Sequence, residues 1–106
     1  MPLRDYQKQV DDWIQGYDPA YWPPLSQLAR LTEEVGELAR ALNHKYGEKI
    51  KKSTEAPDDI EGELADIIFD VICLANSEGI DLDEAMQKQL HKVTTRDADR
   101  FPKKKP

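Results

Sequence analysis

Cysteine occurs once in this sequence, at position 73. A lone thiol cannot build an intramolecular disulfide framework, which points to a reducing, intracellular setting. Cys73 lies in the most apolar stretch and reads as a small core residue rather than a nucleophile. Glycine is also scarce, 5 residues in 106, which suits long helices better than a loop-rich β fold. Basic residues are outnumbered: 15 Lys and Arg against 21 Asp and Glu leave a net charge of −6. A general nucleic-acid binder needs a basic face to release counterions, so the balance argues against that class. It does not exclude a phosphorylated substrate, because a metal can supply the positive charge. Long apolar runs are missing too. The longest, Ile67 to Ala75, is interrupted by Asp70 and falls short of a membrane span. The N-terminus shows no apolar signal region. The expectation is a cytoplasmic protein with neither membrane nor nucleic acid as partner.

What is present is a helical pattern. Hydrophobic residues make up 39% and charged residues 34%. The length fits a single domain, 1–106, whose small core would gain from oligomerisation. Tyr6, Val10, Trp13 and Ile14 mark a first helix from Leu3 to about Gln15, with Trp13 expected in the core. An aromatic linker, Tyr17 to Pro24, completes an N-terminal segment 1–24. Pro is tolerated in a first turn, so a second helix starts near Pro23-Pro24 and runs to Tyr46. Leu28, Leu31, Val35, Leu38 and Leu42 give it one buried face. A polar loop, Gly47 to Pro57, carries Lys49, Lys51 and Lys52. A third helix opens at Pro57-Asp58-Asp59 and ends near Ser77, before Gly79. Its second half is apolar nearly all round, so its extra partner is expected to be another subunit. A fourth helix runs from Asp81 or Asp83 to about Arg100, and 101–106 form a frayed basic tail.

Two short patterns carry the chemistry. The second helix holds Glu33-Glu34-Val35-Gly36-Glu37 and the third holds Glu63-Leu64-Ala65-Asp66. Glu34 and Glu37, like Glu63 and Asp66, are three residues apart and share a helix face. Glu34 and Glu63 sit at the edges of the apolar stripes, so the carboxylates point toward the helix–helix seam. Like charges there repel, and partial burial raises the cost unless a cation or proton neutralises them. Between Lys52 and Lys88 the chain has no Lys, Arg or His, and Asp70 adds a like pair with Asp66. A divalent metal would relieve the repulsion, and oxygen-only ligands select a hard ion, Mg²⁺ or Mn²⁺. A di-iron bundle would need Glu-x-x-His, and neither His44 nor His91 has that spacing; zinc is disfavoured for the same reason. Gly36, costing roughly 1 kcal/mol in a helix interior, suggests close approach by a backbone or ligand.

Glu-Glu-x-x-Glu on one helix followed by Glu-x-x-Asp on the next resembles the signature of the MazG-like all-α nucleotide pyrophosphohydrolases, over roughly Leu25 to Arg100. The resemblance implies a four-helix bundle-like fold assembled as a dimer or dimer of dimers. It implies hydrolysis of a nucleoside triphosphate to the monophosphate and pyrophosphate, with Mg²⁺ held by Glu34, Glu37, Glu63 and Asp66. Glu33 or Glu34 would accept the proton of the attacking water. Lys92, Arg96 and Arg100 resemble the family's phosphate-contacting bases; a solvated basic face is the equal alternative. Trp22, beside a Pro-rich turn, could stack on a nucleobase. Asn43, His44 and Asn76 could read a base edge or cap a helix. The longer helical insertions of dimeric dUTPases are absent, which argues against dUTP specificity. A non-catalytic metal- or nucleotide-binding helical module is the competing class.

Overall fold

The computed structural model describes residues 2–105. Among them are four helices and no strand: α1 (Leu3–Ile14), α2 (Pro24–Tyr46), α3 (Ile60–Ser77) and α4 (Leu82–Thr95). Local chemistry sets the ends. Pro24 stands in the first turn of α2, where its missing N–H costs nothing. Asp59 caps α3 by accepting from the Gly62 N–H at 2.9 Å. Asp81 caps α4 by accepting from the Asp83 N–H at 2.9 Å. Helix α3 closes on Gly79, whose φ of 70° favours glycine. The Ile80 N–H reaches back to the Ala75 carbonyl at 2.9 Å and the Gly79 N–H to that of Asn76 at 3.2 Å, so two end carbonyls are satisfied.

Helices α2 and α3 form an antiparallel hairpin, and α1 packs on α3 and α4. One buried polar knot holds α1 in place. Gln7 donates to Asn76 Oδ1 at 3.0 Å and to the Ile80 carbonyl at 2.7 Å. Its own Oε1 accepts from the Leu82 N–H at 2.9 Å, one of the donors that a helix start leaves free. Asn76 donates to the Gln7 carbonyl and to Tyr21 Oη, and Tyr21 donates to Asp11 at 2.6 Å. Asn76 is therefore spent on joining α1, the linker and α3 rather than left free to meet a base.

Three sequence expectations change. Helix α4 ends at Thr95, not near Arg100. Its last residues are β-branched, and the Thr94 and Thr95 hydroxyls bond back to the Leu90 and His91 carbonyls, which weakens continuation. Helix α3 starts at Ile60 rather than Pro57, because Asp58 is engaged by His44 and Asp59 takes the cap. Trp13 is not core. It is 56% exposed, lying against Tyr17 at 5.1 Å and edge-on to Phe69 at 6.2 Å.

The buried apolar residues are few, Ala41, Ile72, Cys73 and Ala75, and only Ile72 among them is large. Burial pushes the Cys73 thiol above its ordinary pKa, in keeping with a core role. The radius of gyration is 17.7 Å, against about 13 Å for a compact chain of this length. The accessible surface is 8523 Å², where roughly 6,000 Å² is expected for a closed monomer of this mass. Leu28, Val35 and Leu42 on α2 and Leu64, Ile68 and Val71 on α3 are left exposed. The four helices are those expected, but one chain does not close them around a shared interior. Among the described residues no helix is long and apolar enough to cross a membrane.

Candidate metal centre

The α2–α3 seam carries a polar line. From α2 it takes Gln27, Arg30, Glu34 and Glu37, spaced by three or four residues. From α3, running the other way, it takes Asp70, Asp66 and Glu63. Glu34, Glu37 and Glu63 each place one carboxylate oxygen within 4.8 Å of the other two. Asp66 lies one turn along α3, outside that trio and exposed. Glu33 is also exposed and stands outside the trio.

The electrostatics of the trio are those of a site short of positive charge. Burial first, and then the charges of Asp66, Glu37, Asp70 and Glu63, raise the Glu34 pKa above its ordinary value. Burial, then Glu37 and Asp66, raise that of Glu63, with Arg40 opposing. Glu34 Oε2 and Glu63 Oε2 are buried and have no hydrogen-bond partner. A buried carboxylate oxygen left bare is costly, and a hard cation is the partner that answers both oxygens at once. The donor set therefore fits Mg²⁺ or Mn²⁺.

A Cβ at Gly36 would meet nothing within 4 Å, so no neighbouring backbone of this chain requires the glycine.

Two regions flank the trio. Toward the loop, His44 is tied down: Nδ1 lies 3.1 Å from Asp58 Oδ1 and Nε2 lies 3.5 Å from Glu55. Its side chain is 3% exposed, and it pins the loop against α2 instead of facing a ligand. Glu37, Arg40, Glu55, Asp58 and Glu63 line an open cleft there. Toward the start of α2, Arg30 Nε sits 3.3 Å from Asp70 Oδ1, with its guanidinium 5.5 Å from the Trp22 ring. Trp22, Tyr21, Gln27, Arg30 and Asp70 line a second cleft. Trp22 is thus placed beside the seam.

The basic residues of α4 are placed elsewhere. Helix α4 packs on α1. Arg96 follows the helix and pairs with Asp97 at 3.3 Å; Arg100 lies beyond it, over Phe101. Lys92, in the last turn, is exposed. They do not form one helical row, because the helix stops before Arg96.

Arg30, Gln27 and Arg40 escaped the sequence reading. Arg30 and Gln27 continue the Glu34–Glu37 spacing toward the N-terminus of α2, and that periodicity was the available signal.

The chain as a whole is similar to known proteins. Residues 23–101 match the family model of the MazG nucleotide pyrophosphohydrolase domain. The chain belongs to the MazG family. It is a nucleotide pyrophosphohydrolase, a hydrolase acting on acid anhydrides, and its substrate is a nucleotide. It is 49% identical to the uncharacterized protein YpjD of Bacillus subtilis, over 96% of this chain and 92% of that one. It is 28% identical to YvdC of the same organism, over 91% of this chain and 96% of that one. Among solved structures it resembles the YpjD pyrophosphatase candidate from Bacillus subtilis, with a TM-score of 0.80 and 47% identity over 90% of this chain and 97% of that one. It also resembles a Bacillus-conserved MazG protein, a nucleotide pyrophosphohydrolase, with a TM-score of 0.78 and 45% identity over 93% and 96% of the two chains. These relatives are matched over nearly their whole length.

Proposed function

We propose that this MazG chain cleaves a nucleoside triphosphate between the α- and β-phosphates, giving the monophosphate and pyrophosphate, and that it requires Mg²⁺. One observation carries the reading: Glu34, Glu37 and Glu63 converge on one point, and two of their buried oxygens have no partner. Glu34, Glu37 and Glu63, joined by Asp66 from the next turn, would hold the metal. Such an ion, when bound, offsets phosphate charge and lowers the pKa of water beside it.

The chain's own residues would do the rest. Proton transfer from the attacking water falls to Glu33 or Glu34, the two carboxylates that open the motif on α2. Arg30 and Trp22 would orient the nucleoside. Lys92, Arg96 and Arg100 can serve the phosphates only if a second subunit brings its α4 to this seam, since within one chain α4 packs on α1. A homodimer or homotetramer is therefore part of the proposal, and the exposed stripes on α2 and α3 support it. A cytoplasmic setting fits the lone buried cysteine.

The test is pyrophosphate release across the standard nucleoside triphosphates, with Mg²⁺ and then with chelator. Metal-dependent release with a monophosphate product is expected. Binding of nucleotide and Mg²⁺ with no release from any of them would make the chain a binding module instead.

A further inference from the structure

The cleft at the start of α2 has an unusual chemical imbalance. It is a half-open cleft between Tyr21, Trp22, Gln27, Arg30 and Asp70. Two polar side chains in its lining are nearly buried, Gln27 at 8% exposure and Asp70 at 5%. Each leaves one oxygen without a partner, Gln27 Oε1 and Asp70 Oδ2. Both are acceptors, and their orientation is set by what holds their other ends. Gln27 Nε2 donates to the Trp22 carbonyl at 2.7 Å and to Ser77 Oγ at 3.1 Å. A carbonyl can only accept, so the amide nitrogen must face it and Oε1 must stay free. Asp70 Oδ1 is taken by Arg30 at 3.3 Å, which leaves Oδ2.

Two buried acceptors with nothing to accept ask for a ligand that brings donors. The walls describe its shape. Trp22 offers an aromatic face, and Tyr21 is held by hydrogen bonds to Asp11 and Asn76, so that wall is rigid. The position along the seam describes its reach. Seven residues, roughly 10 Å of helix, separate Gln27 from Glu34 and Asp70 from Glu63. That is about the span of a sugar and a base.

We propose that Gln27 and Asp70 form an acceptor pair that reads the exocyclic amine of a nucleobase, so that the enzyme selects aminated bases over their keto counterparts. This rests on the pyrophosphohydrolase reading, and it adds the substrate class and the residues that set it. Cytosine and adenine each carry an –NH₂ with two N–H groups. Uracil and hypoxanthine present a carbonyl oxygen at the same place, which would face two carboxyl or amide oxygens without a proton between them. A site built around hydrogen bonds discriminates against a ligand that cannot complete them.

The experiment compares matched pairs on the wild-type protein with Mg²⁺: dCTP with dUTP, and dATP with dITP. Within the better-used pair, kcat/KM is expected to favour the amine by at least about tenfold. Asp70→Asn replaces the Oδ2 acceptor with an amide donor and keeps an oxygen for Arg30; it is expected to shrink or invert that ratio. Equal or greater use of the keto partner by the wild type would overturn the proposal, as would an unchanged ratio in Asp70→Asn. Thermal shift with dCMP against dUMP, and dAMP against dIMP, reads the same preference without turnover. If no triphosphate is hydrolysed but the amino monophosphates alone stabilise the protein, the catalytic reading fails and the base preference stands. If neither member of either pair stabilises it and all are hydrolysed alike, the reverse holds.

Discussion

Arg30 on α2 and Asp70 on α3 form an ion pair, Nε to Oδ1 at 3.3 Å, in which the Asp70 side chain is 5% exposed and that of Arg30 45%. It stands between two regions. On one side lies a carboxylate trio short of positive charge, and on the other an aromatic cleft. Burial and the charge of Asp66 raise the Asp70 pKa, and Arg30 opposes them.

Removing Arg30 alone should therefore be costly. Arg30→Met leaves a buried carboxylate uncompensated, and a loss of about 3 kcal/mol is expected, the low end for such pairs because Arg30 is half in water. The double variant Arg30→Met/Asp70→Leu should recover most of it, since no buried charge remains. Urea denaturation of the three proteins reads this directly. A double variant no more stable than the single one would show that the charge is not the cause.

Mg²⁺ should stabilise the fold in a pH-dependent way. Glu34 and Glu63 have carboxyls raised above the ordinary 4.5, so the native state keeps protons that the unfolded chain has released. Their contribution is full below that ordinary value and is lost as the pH rises through the raised values. The metal-free Tm should accordingly fall as the pH climbs above about 4.5. Mg²⁺ competes with those protons, so its effect should grow over the same window. At about ten times its Kd the gain is about 1.4 kcal/mol, or several degrees in Tm. Asp11 and Asp58 act in the opposite sense. Hydrogen bonds from Tyr21 and His44, respectively, are the main causes holding their pKa below the ordinary 3.8, so their contribution is lost at lower pH. Differential scanning fluorimetry across pH, with and without Mg²⁺, separates the two limbs; a metal effect independent of pH would contradict the assignment of the trio.

Glu37→Gln and Asp66→Asn should each reduce pyrophosphate release by more than about 100-fold, beyond the cost of losing a group that merely supports a ligand. Neither should unfold the protein, because each relieves repulsion among like charges. The diagnostic outcome combines an unchanged or higher metal-free Tm with a lost Mg²⁺ shift. Full activity in Asp66→Asn would remove that residue from the ligand set and leave the trio.

The chain should not sediment as a 12.2 kDa species at micromolar concentration. Ile68→Glu places a charge on the exposed α3 stripe and should shift the protein to monomer, with pyrophosphate release lost because Lys92, Arg96 and Arg100 then have no seam to reach. A wild-type protein that is monomeric and fully active would refute the shared site.

The sequence by itself determined the helices and the placement of the acids. Spacing of three and four residues put Glu34 with Glu37 and Glu63 with Asp66 on single faces. Proline, glycine and aspartate marked most helix ends to within a few residues, since backbone hydrogen bonding at a terminus is a local matter. It misjudged α4, where back-bonding threonines outweighed a regular row of basic residues, and Trp13, whose helical spacing looked like core. Tertiary structure decided what depends on which surfaces meet. It brought Glu63 against Glu34 and Glu37 while leaving Asp66 outside the trio. It turned His44 and Asn76 into struts and made Gln27 and Asp70 neighbours in one cleft. The trio and the cleft follow from the antiparallel crossing of α2 and α3, in which residues 26 to 43 positions apart share an environment that no local pattern records; the struts follow from how the loop before α3 and helix α1 pack.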